Sequence, residues 1–215
     1  MSRSKEEKSL YQYLAGVSGG STNVIPGVNT TRVRHGKDLH GSYHLPRFYY
    51  PSAQRNTLER FRMFQAPANM QGWLVYDFGS CLGALALECV RRGAQVRGWE
   101  YSKAKVLGCA RLAEFLNLST DQVSFYQQDL VPWLSNRRTA RLEFERRFPP
   151  ADLTICCALE GSIPKKLRPK LYSFLARCTK KLCWFENDTC EPVPHVAAKL
   201  RRAGFLHVQY AGDCD

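Results

Sequence analysis

The chain has 215 residues, a hydrophobic share of 44% and a formal net charge of +12. That length supports one domain with a three-layer core and an appendage, and no stretch reaches the roughly 20 apolar residues of a membrane span. The opening run Met1-Ser2-Arg3-Ser4-Lys5-Glu6-Glu7-Lys8 is polar and lacks the apolar core of a signal peptide, so the expected location is cytoplasmic. Nine cysteines raise the question of a disulfide scaffold, but Cys89, Cys109, Cys156 and Cys157 sit inside apolar patterns, as buried reduced thiols do. No C-x-x-C pair is present and the spacing of Cys178, Cys183 and Cys190 is loose, so no metal is expected.

Residues 1–70 read as an N-terminal extension, partly irregular, and residues 71–215 as the cofactor-binding domain. Leu10 to Leu14 begin a short helix, after which Gly16, Gly19, Gly20, Pro26 and Gly27 break regular structure, leaving extended chain to about Arg34. His40 to Tyr50 interleave aromatics with His44 and Arg47, and Gln54-Arg55 follow. Such a segment suits base stacking and phosphate contact, or packs Phe48, Tyr49 and Tyr50 against a sheet. His40 and His44 have metal-compatible spacing only on a helix, which Gly41 and Pro46 oppose. From Thr57 to Phe64 the spacing of Leu58, Phe61, Met63 and Phe64 predicts a helix capped by Asn56 or Thr57, with Arg60 and Arg62 turned outward. Pro67 ends it.

Beyond residue 70 strands and helices alternate, which predicts a mostly parallel, doubly wound sheet with helices on both faces. Strands are expected near 73–77, 95–100, 123–126, 152–157, 181–186 and 205–210. Helices are expected near 84–92, 103–117, 138–147, 166–178 and 193–202, the last stopped by Gly204.

The most informative run is Leu74-Val75-Tyr76-Asp77-Phe78-Gly79-Ser80-Cys81-Leu82-Gly83. An apolar strand delivers Asp77 and a glycine turn directly ahead of a helix, whose free N–H groups and dipole suit an anionic group. The next strand ends on Glu100, where a carboxylate takes both hydroxyls of a ribose. Asp129 follows the apolar run Val123-Ser124-Phe125-Tyr126.

In this order the segments resemble the class I S-adenosylmethionine-dependent methyltransferases, a Rossmann-like superfamily. Asp77 to Gly83 match its first motif, D-x-G-x-x-x-G; Glu100 matches the ribose acid and Asp129 the residue that binds the adenine amino group. The resemblance implies S-adenosyl-L-methionine as cofactor, bound by Asp77, Gly79, Ser80, Cys81, Gly83, Glu100, Tyr101, Asp129 and Leu130. NAD is the competing cofactor, but its fingerprint needs glycine where Cys81 stands. Asp152 to Cys157 match the fourth strand, which leads to the active-site loop. The family's sheet usually ends with a seventh, antiparallel strand, which is expected to be either missing or displaced here.

The acceptor is less legible. Ala158-Leu159-Glu160-Gly161 lacks the N/D-P-P-Y/F segment of amino methylation, Cys156-Cys157 stand where cap-type ribose enzymes carry Asp, and Cys157 lacks the neighbouring proline of cytosine C5 enzymes. There is no E-x-x-E-H-H metal motif. Glu160, just past the fourth strand, and Glu186, at the end of the strand expected at 181–186, are the candidate catalytic carboxylates, as base or hydrogen-bond acceptor. Basic residues cluster at Arg137, Arg138, Arg141, Arg146 and Arg147 and again at Lys165, Lys166, Arg168 and Lys170, on both sides of the fourth strand in sequence. They point to RNA or another polyanionic acceptor, with His44, Arg47, Arg55, Lys165, Lys166 and Arg168 as candidate substrate contacts. The stretch ending in Gln54-Arg55 also resembles the lead-in of methyltransferase domains that modify wobble uridine in tRNA. Two alternatives stand beside this: a small-molecule acceptor with residues 35–62 as a lid, and a non-catalytic subunit that keeps the fold to bind a partner.

Overall fold

Five parallel strands form the centre of the computed structural model, which describes residues 4–18, 39, 41–51, 53, 55–135, 138–187 and 191–212. They are β3 (Leu74–Phe78), β4 (Gln95–Glu100), β5 (Val123–Gln127), β6 (Ala151–Cys157) and β7 (Thr179–Glu186), ordered β5-β4-β3-β6-β7. Every neighbouring pair is parallel. Chain order therefore reverses between β3 and β6, where open α/β sheets leave a crevice beyond the carboxyl ends of their strands.

A parallel sheet needs cover on both faces, and the side-chain alternation of β3 divides the core accordingly. Val75, with Leu153 and Ile155 of β6, faces α3 (Ala84–Arg91) and α4 (Lys103–Phe115). Tyr76 and Phe78 face the other way, joining Trp99, Phe144 and Phe174 in an aromatic cluster under α6 (Arg138–Arg147) and α7 (Arg168–Cys178). The short α5 (Val131–Leu134) and the final α8 (Val193–Ala203) complete that side. Asp77 points to the α3 face and is 3% exposed.

The described part of the first seventy residues is ordered and packed on the sheet domain, while the stretch expected to be extended up to Arg34 lies, beyond Ser18, outside the described residues. Helix α1 (Lys5–Ser18) packs on α4, and a hairpin of β1 (Tyr43–Leu45) and β2 (Phe48–Tyr50) packs on α3. Leu14, Tyr43, Phe48 and Phe61 are buried in the same cluster as Val75 and Leu82, so the core is continuous across residue 70. Tyr11 stacks on Tyr50, and the Tyr13 hydroxyl donates to Ala104 O at 3.1 Å. Helix α2 (Thr57–Met63) is capped by Asn56, whose side chain accepts from Glu59 N at 3.2 Å. Arg60 corrects the expected outward face: it is 7% exposed and lies on the buried side with Thr57 and Phe61. The strand expected at 205–210 is not formed. Phe205 and Val208 pack on Val196 and Leu200, while Leu206 is 89% exposed and the segment pairs with no strand.

Among the described residues the cysteines are free thiols, no group of His, Cys, Asp and Glu is placed to hold a metal, and no helix is long and apolar enough to cross a membrane. Cys190 and His40 lie outside the described residues.

Candidate cofactor and acceptor site

Because the sheet strands are parallel, the loops after β3, β4, β5, β6 and β7 open along one edge. At the end of β3 the backbone folds back sharply. Gly79 N and Ser80 N both donate to Trp99 O, at 2.8 and 3.1 Å. Gly79 and Gly83 take φ values of 78° and 75°, which favour glycine. Space is as tight as geometry: a Cβ on Gly83 would stand 3.0 Å from the Phe125 ring. Gly83 is the N-cap of α3 and supplies no side-chain cap, so that helix start keeps donors for a ligand.

Glu100 reaches back to this loop. Its carboxylate accepts from Cys81 N and Ser102 N, both at 2.9 Å. A carboxylate has roughly four acceptor sites, so two remain for a pair of hydroxyls. Gln128 N donates to Glu100 O at 2.9 Å, which brings the end of β5 beside the end of β4. There Asp129 is exposed and holds Val131 N through Oδ1 at 2.9 Å, Leu130 is buried, and Tyr101 is 74% exposed. The nucleoside candidates thus share one surface beside the glycine loop. Asp129→Ala is expected to weaken an adenosyl ligand but not its analogue lacking the adenine amino group. If titration finds both ligands weakened alike, Asp129 has another role.

The inner end of the site is a cleft of about 40 Å³, room for a few waters or a small charged group. Asp77, Ser80, Cys81 and Cys157 form its sheet side, and Gly41, Tyr43, Arg55 and Arg60 close it from the N-terminal segment. That segment is firmly seated. Thr57 N and Oγ1 bond Ser42 Oγ and O at 2.8 and 2.7 Å, and the Tyr43 hydroxyl donates to Leu82 O at 2.7 Å. A Cβ on Gly41 would stand 2.6 Å from that of Ala84, so only glycine permits this approach to the start of α3. The Ser80 hydroxyl is buried in the cleft wall with no hydrogen-bond partner, which fits a polar ligand. Burial pushes the Asp77 carboxyl up to about 7, with Arg60 opposing the shift and Glu100 adding to it. Burial likewise raises the Cys157 and Cys81 thiols, which keeps them protonated and poor nucleophiles.

The two candidate catalytic carboxylates part company. Glu186 stands behind the cleft's arginines without lining it: Arg55 Nη1 donates to Oε1 at 3.2 Å and Arg60 Nη2 pairs with Oε2. Glu160 instead turns into the protein with no exposure, accepting the Tyr172 hydroxyl through Oε1 while Oε2 has no partner. It does not line the cleft; its neighbour Leu159 is the residue that lies over Gly79.

The candidate substrate contacts are not brought together: only Arg55 lines the cleft, and Arg47 lies by the far end of α4, away from the carboxyl edge of the sheet. Lys165 and Lys166 are exposed on a short helical turn after β6. Arg168 is half-buried and donates to Ile163 O at 3.2 Å. Arg47 sits over the Phe115 ring at 5.0 Å, and His44 Nε2 lies 3.1 Å from Ser42 Oγ. Arg55 is committed to Glu186, and Gln54 and Arg137 lie outside the described residues. Sequence reasoning missed Arg60 and Tyr43 as cleft residues. The signal for Arg60 was present: Thr57, Arg60, Phe61 and Phe64 follow helical spacing and put a guanidinium on the inward face.

No family model and no curated protein matches the sequence. Solved structures do match. The chain is similar to magnesium protoporphyrin IX methyltransferase (ChlM) from Synechocystis PCC 6803 with bound SAM, at a TM-score of 0.54 and 22% identity over 69% of this chain and 67% of that one. A TehB-like SAM-dependent methyltransferase from Corynebacterium glutamicum ATCC 13032 Kitasato matches at 0.49 and 13% identity, over 67% of this chain and 71% of that one. The N-terminal domain of EvdMO1 with SAH bound matches at 0.47 and 17% identity, over 70% of each chain. With its strand order β5-β4-β3-β6-β7 and helices on both faces, the chain has the Rossmann-like fold of the class I S-adenosylmethionine-dependent methyltransferases.

Proposed function

We propose that the protein is an S-adenosylmethionine-dependent methyltransferase acting on RNA or another polyanionic acceptor. The observation that carries the cofactor assignment is Glu100, a carboxylate fixed by backbone N–H groups of the glycine loop and of the turn after β4, with acceptor sites left for a ribose. Gly79, Ser80, Cys81 and Gly83 would hold the methionine end, Asp77 its ammonium, and Tyr101, Asp129 and Leu130 the adenine. When bound, the cofactor supplies an electrophilic methyl group on a sulfonium. The protein's share is to hold the acceptor in line, an effect worth about 7–11 kcal/mol, and to receive a proton where the nucleophile carries one. Glu186, paired with the cleft residues Arg55 and Arg60, is the candidate carboxylate for that role.

The polyanion assignment rests on Lys165 and Lys166, exposed on the loop that leaves the same sheet edge as Asp77 and Glu100. Phosphate contacts position a nucleic acid without reading its sequence. Neutralising Lys165, Lys166 and Arg168 together is expected to leave S-adenosylmethionine binding intact and to weaken RNA binding. The logarithmic slope of RNA affinity against salt flattens by roughly 0.7–0.9 for each phosphate that is no longer neutralised. Equal affinities and equal slopes in wild type and variant would remove RNA from the assignment. A small acceptor, with residues 35–62 as its lid, is the second reading, favoured by the closure of the cleft by Gly41, Tyr43, Arg55 and Arg60. Calorimetric titration with S-adenosylmethionine, followed by methyl-transfer assays on total RNA and on a metabolite pool, separates the two. Absence of cofactor binding would favour a non-catalytic subunit.

A further inference from the structure

Arg60 carries a charge yet is almost fully buried, on the inward face of α2. Its guanidinium pairs with Glu186 at the end of β7 and lines the same cleft as Asp77 and Cys157. Three elements that are distant in sequence thus meet around one cation. The charged groups acting on Asp77 are Arg60 from α2, which favours its ionised form, and Glu100 from β4, which opposes it. The other titratable groups coupled to Asp77 are the thiols of Cys89 on α3, Cys109 on α4 and Cys157 on β6, all raised by burial and so neutral. None of them offers a counter-charge.

We propose that Arg60 is a positioning residue: anchored by Glu186, it supplies the counter-charge that lets Asp77 receive the ammonium group of a ligand in the cleft. This rests on the methyltransferase assignment for the identity of that ligand. A buried carboxylate loses hydration that only a nearby cation or donor restores. With Asp77 at about 7, its ionised fraction changes steeply around neutral pH, and ligand affinity falls as the pH drops through that value. Glu186 holds Arg60 at the cleft wall.

The test is calorimetric titration of S-adenosylhomocysteine into the full chain between about pH 6 and 9. Arg60→Met is expected to move the midpoint of the affinity profile upward by about one pH unit, a roughly tenfold loss near neutrality that recovers in alkali. Arg60→Lys restores the wild-type midpoint. Glu186→Gln removes the negative charge but leaves an amide oxygen that accepts from Arg60 and keeps its charge in place, so the midpoint does not rise. A uniform loss at every pH in Arg60→Met, or an equal upward shift in Glu186→Gln, would overturn the proposal and leave Arg60 a structural tie.

A second readout needs no ligand. The folded-state value of Asp77 is raised above the ordinary 3.8, so its contribution to stability is fully present below about pH 4 and is lost as the pH rises through about 7. In Arg60→Met that loss extends to higher pH. If no variant binds S-adenosylhomocysteine, the cofactor assignment fails, and the stability profiles still decide the coupling; parallel profiles for wild type and Arg60→Met would overturn it.

Discussion

Replacing Glu100 with Ala is expected to weaken S-adenosylmethionine binding by roughly 10²- to 10⁴-fold. The ribose loses two hydrogen bonds to a charged acceptor, each worth about 1.5–3 kcal/mol, and each 1.4 kcal/mol is about a factor of ten. Part of the loss comes through the loop. Cys81 N and Ser102 N both donate to the Glu100 carboxylate, so the substitution also leaves those donors to water and loosens the turn that follows β3. Glu100→Gln separates the contributions, since its amide oxygen still accepts one backbone donor while the charge is gone. Titration of all three proteins, with circular dichroism to check the fold, gives the answer. An unchanged affinity in a folded Glu100→Ala protein would end the ribose assignment.

Glu186→Ala carries the second large effect, on stability. It removes the carboxylate that pairs with the Arg60 guanidinium, whose side chain is 9% exposed, and with Arg55, whose side chain is 29% exposed. Removing one partner of a buried pair costs about 3–5 kcal/mol, and the lower end applies because the Glu186 side chain keeps 17% exposure. Arg60→Met combined with Glu186→Ala is expected to recover much of that loss, because the buried charge is then removed together with its partner. Urea unfolding of the wild type, both single variants and the double variant measures the coupling directly. Additive losses would mean that the two side chains do not depend on each other. In the same series Glu186→Gln tests chemistry: a fall in methyl transfer at unchanged cofactor affinity assigns Glu186 to the acceptor side of the reaction.

Much of the site's frame is legible in the sequence. Asp77, Gly79, Gly83 and Glu100 mark strand ends and a glycine turn through short-range pattern alone, and the sheet edge gathers them as expected. Asp129 and Leu130 likewise fall directly after β5. The candidate carboxylates are less legible. Glu160 just past β6 and Glu186 at the end of β7 look equivalent in sequence, yet one takes the Tyr172 hydroxyl inside the protein and the other pairs with Arg55 and Arg60, which line the cleft. Glu160 lies in a short turn past β6, where no periodicity fixes the direction of a side chain, whereas Glu186 still belongs to β7 and its partners stand 131 and 126 positions away in sequence.

The sequence by itself determined the alternation of strands and helices, their order, and the loop that joins β3 to α3, because each depends on neighbours within a few residues. The tertiary structure alone decided what fills the cleft. Arg60 lies 126 positions from Glu186, and only the packing of α2 against the end of β7 makes burial of its charge tolerable. The tail at 205–210 shows the same division. Its residues have strand character, but a strand exists only where another backbone accepts its hydrogen bonds, and among the described residues no strand pairs with it.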